Sequence, residues 1–474
     1  MKIRNLIFST FMVFTFLVTS CSTKENEGDG ASNKDPIRKT IDIYGINDFH
    51  GAFTYDKDSK QTGLGRIGNY LINQKNENPD STFIVSQGDM WQGGVESNKT
   101  KGKLVTEAMN LIGFDAMAIG NHEFDWGEEA IKANKEIMNF SLLNSNIFYS
   151  KDNSRPNYLT PSINVERGGV KIGFIGAASS SLGNDIIGSI SKKFTFNDPI
   201  NYIKEESDKL KKDGCDAIIL LTHDGGENES EFKYKELTIG ESPYIDAIFL
   251  GHDHRHKSGS SNGVPYIEGG SNGRYISHIQ LEIVKSTKET SVKSKKSENI
   301  FTFETSGFKK TNQEIENLLD KYKNDIGDID RVIYNFQGNY SKSEFLNIVC
   351  RAMFEYINDK KSDYPYEIIG SFHNSGGIRA AVYAGEFTYR DLIKVCPFTN
   401  TIVIMKVNET VYNQLFNNGN YIDSKPTFEN GFAYVAAISF VSENEFYENV
   451  EKHDTGFIIQ DVIEYFLGKH PNEF

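Results

Sequence analysis

The sequence predicts an α/β fold with largely parallel strands in the N-terminal part, followed by a second, smaller domain. The first observation is a series of short apolar runs, rich in Ile, Val, Phe and Leu, that stop at NDFHG, GD, NHEFD, HDGG and HDHRH. The second is that helical patterns such as KLVTEAMNLIG and GEEAIKANKEIMN separate these runs. Alternating strands and helices indicate parallel pairing, and ligands of such sheets bind at the carboxyl ends of the strands.

The first 20 residues have the pattern of an export signal. MKIRN is basic, and the apolar run LIFSTFMVFTFLV is too short to span a bilayer. LVTSC resembles the lipobox of bacterial lipoproteins, which implies that Cys21 is lipidated; the alternative is a plain secretory signal in which Cys21 has no role. Residues 21–38 are polar and predict a flexible tether. We therefore expect a protein held in the bacterial cell envelope by an N-terminal lipid, either in the periplasm or on the outer surface.

Composition limits the partners of the exported part. The 474 residues are 38% hydrophobic and 24% charged, with a net charge of −14. A nucleic-acid polymer would need a basic face, so none is expected as a partner. A phosphate substrate would have to meet local cations, either metal ions or arginines. The remaining cysteines, Cys215, Cys350 and Cys396, are widely spaced and indicate neither a disulfide framework nor a thiolate metal site. No protein partner is implied.

Domain boundaries follow from changes in pattern. We expect the first domain over 39–305, a linker helix over 306–329 and the second domain over 330–474. The polar stretch KSTKETSVKSKKSEN is interpreted as an exposed hairpin tip, with a linker as the alternative. TNQEIENLLDKYKNDIGDI predicts one amphipathic helix, which Thr311 and Glu314 would open as a capping box.

Side chains that bind metals gather at the ends of the predicted strands. The candidate ligands are Asp48, His50, Asp89, Asn121, His223, His252 and His254. A single Asp or His in such a place is more often structural, but this many in one domain are hard to explain that way. Carboxylate, imidazole and amide ligands without thiolate suit divalent Zn, Mn, Fe or Co. Seven ligands exceed what one tetrahedral ion needs, so two ions that share a carboxylate are expected, an arrangement typical of phosphate-ester hydrolysis.

The ordered series DFH, GDMWQGG, GNHEFDWG, LTH and GHDH resembles the calcineurin-like metallophosphoesterases. With the later NSGGIRA and PFTN, it resembles their 5′-nucleotidase branch over about residues 40 to 470. The resemblance implies an α/β/β/α sandwich and a smaller α+β C-terminal domain that binds the substrate. It also implies one ion held by Asp48, His50 and His254. A second ion would be held by Asn121, His223 and His252, with Asp89 bridging the two.

The same resemblance assigns catalytic and substrate residues. His122 and Asp125 match the catalytic dyad of the family, although Asp125 could instead be a helix N-cap. Asn374 and Arg379 match substrate contacts, and Phe398 matches one of two aromatic side chains that enclose the base. The alternatives are a surface salt bridge for Arg379 and core packing for Phe398. Phe446 or its neighbour Tyr447 would supply the second aromatic.

The C-terminal half departs from the family pattern in three places. Ser341 or Lys342 stands where the family has an arginine, and Arg351 stands where it has an aspartate. The Gly-Gly-Asp-Gly loop before the second aromatic is missing, and the segment after PFTN is some tens of residues shorter than usual. These differences leave the substrate open while the predicted metal centre is complete.

The expected function is two-metal hydrolysis of nucleotide phosphate monoesters outside the cytoplasm. Two alternatives use the same metal centre, namely a 2′,3′-cyclic nucleotide phosphodiesterase and a UDP-sugar hydrolase. A further alternative is a surface binding protein with a vestigial nucleotide site. The complete set of ligands argues against it.

Overall fold

The structure is a computed structural model that describes residues 36–226, 232–240, 242–286, 290–360, 367–415, 419–422 and 427–474. The predicted signal over 1–20, the lipidation site Cys21 and nearly all of the predicted tether lie outside these ranges. The first described strand begins at Ile37, slightly before the predicted start of the first domain.

The N-terminal part alternates strands with helices, as its sequence predicts. Its strands are β1 (Ile37–Ile46), β2 (Thr82–Ser86), β3 (Ala116–Ala118), β4 (Ser141–Leu143), β5 (Ile147–Tyr149), β6 (Ser162–Arg167), β7 (Val170–Ala178), β8 (Phe194–Phe196), β9 (Ala217–His223), β10 (Ala247–Phe249), β11 (His256–Ser261), β12 (Val264–Gly269), β13 (Tyr275–Lys285) and β14 (Thr290–Phe301). Its helices are α1 (Leu64–Glu77), α2 (Val95–Lys99), α3 (Lys103–Ile112), α4 (Glu128–Ile137), α5 (Gly188–Ser191) and α6 (Pro199–Lys212).

Two six-stranded sheets form the centre of this domain. Their strand orders are β14-β13-β1-β2-β3-β4 and β11-β12-β10-β9-β7-β6. Parallel pairing joins β1 through β4 in the first sheet and joins β7, β9, β10 and β12 in the second. The polar segments after these parallel strands therefore lie at the carboxyl edges of both sheets.

The core has three apolar layers, and these layers explain the four-layer architecture. Buried side chains such as Ile43 and Phe83 of the first sheet meet Phe174 and Leu221 of the second. Helices α1, α3 and α4 cover the outer face of the first sheet, and α6 covers that of the second. Both faces of the central strands of each sheet are thus removed from water. The α/β/β/α sandwich is confirmed.

The segment after the sandwich differs in detail from the predicted linker helix. It forms α7 (Gln313–Lys321) and a short α8 (Lys323–Ile326), interrupted at Tyr322. The side chain of Asn312, not Thr311, caps α7 by accepting a hydrogen bond from the amide of Ile315. The predicted capping box is therefore wrong, because Thr311 donates instead to Glu316. Ile315 belongs to the apolar core of the first domain, so α7 packs on that domain.

The C-terminal domain is an α+β unit, as the family resemblance implies. It contains β15 (Val332–Phe336), α9 (Lys342–Asp359), β16 (Ile368–His373), β17 (Gly385–Thr388), α10 (Tyr389–Val395), β18 (Thr401–Val407), α11 (Glu409–Leu415), β19 (Gly419–Ile422), β20 (Ala433–Ile438), α12 (Ser439–Ser442), β21 (Glu451–Ile458) and α13 (Ile459–Lys469). The main sheet has the order β19-β16-β20-β18-β21, with only β16 and β20 parallel. Helices α9 and α13 bury their apolar faces in the same core as this sheet.

Candidate metal centre and substrate cleft

The predicted metal ligands converge at the carboxyl edges of the two sheets. They lie after β1 (Asp48, His50), after β2 (Asp89), after β3 (Asn121), at the end of β9 (His223) and after β10 (His252, His254). His50 and His254 are 204 positions apart in the chain, yet their Nε2 atoms are separated by only 2.9 Å. The fold thus brings all seven side chains to one place.

One group of these side chains has the chemistry of a cation site. The Nε2 atom of His254 lies 3.3 Å from Oδ1 of Asp48, and His50 is within 4.8 Å of both. Oδ1 of Asp48 is buried and has no hydrogen-bond partner. Lone pairs of a carboxylate and of imidazole rings that converge at such short distances are unfavourable unless a proton or a cation lies among them. Asp48, His50 and His254 therefore fit a metal ion.

A second group surrounds Asn121. Its Oδ1 atom lies 3.1 Å from Nε2 of His223 and 3.2 Å from Nδ1 of His252. Nε2 of His223 is also 3.2 Å from Oδ2 of Asp89. Ligand atoms of Asp89 lie within 4.8 Å of those of His50 and of His223, so this carboxylate stands between the two groups. That position is the one a bridging ligand needs, while the division of the ligands between two ions stays a prediction.

The backbone at this site is strained in a consistent way. Five of the predicted ligands have positive φ: Asp48 at 48°, His50 at 50°, Asp89 at 53°, His252 at 82° and His254 at 57°. The left-handed region is costly for residues with a Cβ atom and is common at binding sites, where the surrounding structure enforces it. Here the tight turns after the strands aim consecutive side chains at one point.

Hydrogen bonds beneath the ligands hold them in place. The carboxylate of Glu123 is fully buried and accepts hydrogen bonds from the amides of Asp89, Met90 and Gly120 at 2.8–2.9 Å. It therefore ties the loop after β2 to the loop after β3. Nδ1 of His223 contacts the backbone oxygen of Gln87 at 2.7 Å, which orients the Nε2 atom toward the site.

Electrostatics favour the ionised form of Asp89 in this site. Burial by itself would raise the pKa of Asp89, but the nearby His223 and His122 outweigh burial and hold that pKa well below its usual range. Burial lowers the pKa of His50 to about 3, so its imidazole is neutral and has a lone pair for a ligand. Burial also lowers the pKa of His223, but the attraction of Asp89 dominates and raises it to about 10. Metal binding would displace a proton from His223.

His122 and Asp125, the predicted catalytic pair, are in contact. Nδ1 of His122 lies 3.0 Å from Oδ2 of Asp125, and its Nε2 lies 4.0 Å from Oδ2 of Asp89. Burial lowers the pKa of His122, but Asp125 and Asp89 outweigh burial and raise it to about 9. Asp125 makes no capping hydrogen bond to α4, whose N-cap position is Gly127. The ring of Phe398 stacks against His122, with centroids 5.5 Å apart and planes inclined at 25°.

A cavity of about 400 Å³ opens from the dyad into the cleft between the domains. Asn374, Arg379 and Phe398 line it together with Asn121, His122 and Asp125. The guanidinium carbon of Arg379 lies 5.1 Å from the centre of the Phe398 ring. Arg379 makes no ion pair with any carboxylate in the part of the chain that the structure describes. Its charge therefore remains available to a ligand in the cavity.

Phe446, the predicted second aromatic side chain, is not among the residues that line this cavity. Phe446 is 55% exposed, packs edge-on against Tyr447 and does not line this cavity. Phe440 does line it, because α12 begins directly after β20 and holds this residue at the end of the strand. Phe446 was expected because it lies near the place where the family has a glycine-rich loop, which this chain lacks. The apolar run AYVAAISF, which ends at Phe440, was the sequence signal that could have indicated Phe440 instead.

Two family models match the chain in sequence order. The calcineurin-like phosphoesterase model matches residues 41–256, and the 5′-nucleotidase C-terminal domain model matches residues 325–444. The chain belongs to the 5′-nucleotidase family. The predicted family and fold class are thereby confirmed.

Relatives of this chain differ in length and in the activity that their names state. A 5′-nucleotidase of Vibrio cholerae is 26% identical over 458 residues, which cover 84% of this chain and 78% of that protein. The trifunctional nucleotide phosphoesterase protein YfkN of Bacillus subtilis is 23% identical over 86% of this chain, and Endonuclease YhcR of that organism is 27% identical over 79%. The chain spans about a third of the length of these two proteins, 31% and 32%.

Solved structures of the 5′-nucleotidase family have the same fold. The crystal structure of a 5′-nucleotidase precursor from Thermus thermophilus matches with a TM-score of 0.70 at 17% identity. The match covers 91% of this chain and 97% of that one. Among the residues described here, no helix has the length and apolar character needed to cross a membrane.

Proposed function

We propose that this 5′-nucleotidase family member hydrolyses phosphate monoesters of nucleotides with the help of two divalent ions. The observation that carries the proposal is that the candidate metal ligands, the His122–Asp125 pair and the cavity adjoin one another. Two groups of ligand side chains adjoin the His122–Asp125 pair, and the cavity that begins there is lined by Asn374, Arg379 and aromatic rings. A metal centre next to an aromatic and cationic cleft suits a substrate with a phosphate at one end and a base at the other.

The ligand residues would divide into two sets. Asp48, His50 and His254 would hold one ion, and Asn121, His223 and His252 the other, with Asp89 shared. When bound, the ions supply Lewis-acid polarisation of the phosphoryl group and activate a water molecule. Their identity among Zn, Mn, Fe and Co belongs to the proposal.

The residues beside the centre would act on the phosphoryl group. With Nδ1 of His122 directed to Asp125, its Nε2 is free to donate a proton to a phosphoryl or leaving oxygen. Asp125 keeps the imidazole charged and oriented. The guanidinium of Arg379 would bind phosphate oxygens, and Asn374 would add a neutral donor.

The base would lie in the aromatic part of the cleft. Phe398 is held against His122 on one side, and Phe440 lines the same cavity. Two rings that enclose a base provide apolar contact and stacking without selecting one base. A cyclic nucleotide or a nucleotide sugar could use the same centre, and these remain the alternative substrates.

We also propose that the protein acts outside the cytoplasm, anchored through a lipid on Cys21. The support is the sequence pattern of the first 21 residues, which lie outside the described ranges. Labelling with a radioactive or clickable fatty acid would test it. Loss of the label in Cys21→Ala is expected, and label that persists would contradict the proposal.

The activity test combines metal content with product release. The purified protein is expected to hold two ions per chain and to release phosphate from AMP faster than it cleaves UDP-glucose, cyclic 2′,3′-AMP or bis-(p-nitrophenyl) phosphate. Asp89→Asn should lose both metal and turnover. A protein that held two ions and cleaved no member of this panel would contradict the enzyme proposal and favour the vestigial binding protein.

A further inference from the structure

A second cavity adjoins the metal centre on the side of His50 and His254. Its volume is about 360 Å³, and side chains of both domains line it. Gln92, His254 and Arg379 line this cavity as well as the one that begins at the dyad. A single ligand can therefore extend from the aromatic cleft, past the metal centre, into this second cavity.

The second cavity is strongly basic. Its lining includes six cationic side chains: Lys60, Arg274, Lys342, Arg379, Arg390 and Lys394. Two of them are already neutralised, since Arg390 pairs with Glu96 and Asp330, and Lys394 pairs with Asp56 at 2.6 Å. The pairs with Glu96 and with Asp56 also join the two domains at the rim of the cavity.

The other four cations have no acidic partner. In the described ranges, Lys60, Arg274, Lys342 and Arg379 form no ion pair, and the one acidic residue that lines the cavity, Glu96, is bound to Arg390. This concentration of positive charge occurs in a chain with a net charge of −14. Like charges around a shared space repel one another unless an anion lies between them.

Two of these positions are unfavourable for the fold itself. Lys342 is the first residue of α9, where a positive charge opposes the helix dipole. Lys60 has a left-handed backbone with φ of 57° at the tip of a surface turn. Neither position is explained by packing, because both side chains are exposed. An anionic ligand near Lys342 would offset this cost at the helix start, while the backbone of Lys60 belongs to the turn that Asp56 and Gln61 close.

We propose that the second cavity binds the distal phosphate of a nucleoside triphosphate, so that the chain cleaves this substrate between its α and β phosphates. This inference rests on the proposed nucleotide-hydrolase function. The nucleoside and α phosphate occupy the aromatic cleft, the β phosphate lies at the metal centre, and the γ phosphate meets Lys60, Arg274 and Lys342. Water adds to the β phosphorus, and the bond from that phosphorus to the oxygen bridging the α phosphate breaks. The nucleoside monophosphate leaves with the electron pair, and pyrophosphate is the other product.

The products distinguish this mode of binding from stepwise removal of the terminal phosphate. Pyrophosphate and orthophosphate released from ATP by the metal-loaded protein are measured separately, with ADP and AMP as substrates that lack the distal group. Pyrophosphate is the expected first product from ATP. Lys60→Gln and Arg274→Gln should each lower kcat/KM for its release about tenfold, the effect of losing one charged phosphate contact.

A matched control lies in the same turn. Lys57 does not line the cavity, and Lys57→Gln should leave pyrophosphate release unchanged. Orthophosphate as the only initial product from ATP would overturn the inference while leaving the proposed function intact. An equal effect of Lys60→Gln on AMP and on ATP would also overturn it.

A direct measurement of pyrophosphate binding distinguishes failure of the second anion site from failure of the proposed hydrolase function. If no nucleotide were hydrolysed, the proposed function would fail, but calorimetry with inorganic pyrophosphate would still test the cavity. Lys60→Gln and Arg274→Gln are expected to weaken pyrophosphate binding to the metal-loaded protein about tenfold, and added salt should reduce the difference. Equal affinity for wild type and both variants would refute the second anion site.

Discussion

Glu123→Gln tests whether the buried carboxylate under the metal centre positions its ligands. The carboxylate accepts three backbone hydrogen bonds, from Asp89 and Gly120 on one oxygen and from Met90 on the other. Glutamine keeps one oxygen and replaces the other by an amide that can only donate. At least one backbone N–H would then face another donor, which costs about 1–3 kcal/mol.

Removal of a buried negative charge opposes the loss of the backbone hydrogen bond. Burial and the charge of Asp89 raise the pKa of Glu123 from 4.5 to about 7, despite the backbone hydrogen bonds. A carboxylate held there at neutral pH is destabilised by roughly 3 kcal/mol relative to water, and glutamine removes this penalty. The free energy of unfolding of the metal-free variant should therefore differ from wild type by no more than about 2 kcal/mol.

Metal affinity should respond much more strongly than stability. Without the clamp, the loop that bears Asp89 can move relative to the loop that bears Asn121, and loss of such a supporting contact weakens metal binding about 10–100-fold. Competitive titration against a chelator measures the affinity, and thermal unfolding in the chelator measures the stability. Glu129→Gln is the control, because Glu129 lies on α4 with an exposed side chain that, within the described part of the chain, bonds only Lys132. Wild-type metal affinity in Glu123→Gln would refute the reasoning.

Three further predictions follow from the same geometry. His122→Ala should retain both ions and lose about 10²–10⁴-fold in kcat for AMP, as expected for a general acid; unchanged turnover, with metal content checked by mass spectrometry, would contradict the assignment. Phe440→Ala should raise KM for AMP about tenfold by removing one stacking ring, while Phe446→Ala leaves it unchanged, and the opposite pattern would restore the sequence-based assignment. Asp246→Asn should stabilise the fold by about 1–2 kcal/mol at pH 8 and by little at pH 4.5 in urea unfolding. Burial raises the pKa of Asp246 to about 6, although the backbone amide of Ile218 and the charge of Lys211 act in the opposite direction. The ionised carboxylate therefore destabilises the fold as pH rises from 3.8 through 6, and the uncharged side chain of asparagine avoids this loss. Equal effects of the substitution at both pH values would contradict this cause.

The strand-end motifs could be found in the sequence because apolar runs and the polar residues that follow them are local features. Asp48, Asn121 and His223 each stand at the end of such a run, and the structure places each of them at a carboxyl edge. The bounds of the polar strand β14 were harder to predict. KSTKETSVKSKKSEN was interpreted as a hairpin tip, and the segment does belong to a hairpin, that of β13 and β14. Most of it is strand, however, since β14 already begins at Thr290. As an edge strand with exposed lysines, it lacks the apolar alternation that marks a buried strand.

Contacts in the cleft depend on how distant segments meet, and local patterns carry little information about them. Phe440 and Phe446 are equally aromatic and six positions apart, yet only Phe440 lines the cavity. The basic cavity combines Lys60 and Arg274 of one domain with Lys342 of the other, and nothing in the sequence around any of them signals the others.

The sequence by itself determined the family, the α/β/β/α sandwich with its α+β partner domain, and which side chains would converge at the candidate metal centre. Those features depend on periodicity and on short motifs whose spacing is set by single turns. The tertiary structure alone decided which aromatic side chains line the cavity and which carboxylate joins the two ligand loops. It also decided that cations of both domains, without an ion pair in the described ranges, share one space. These depend on distances between residues far apart in the chain, which only the packing of the sheets and of the two domains establishes.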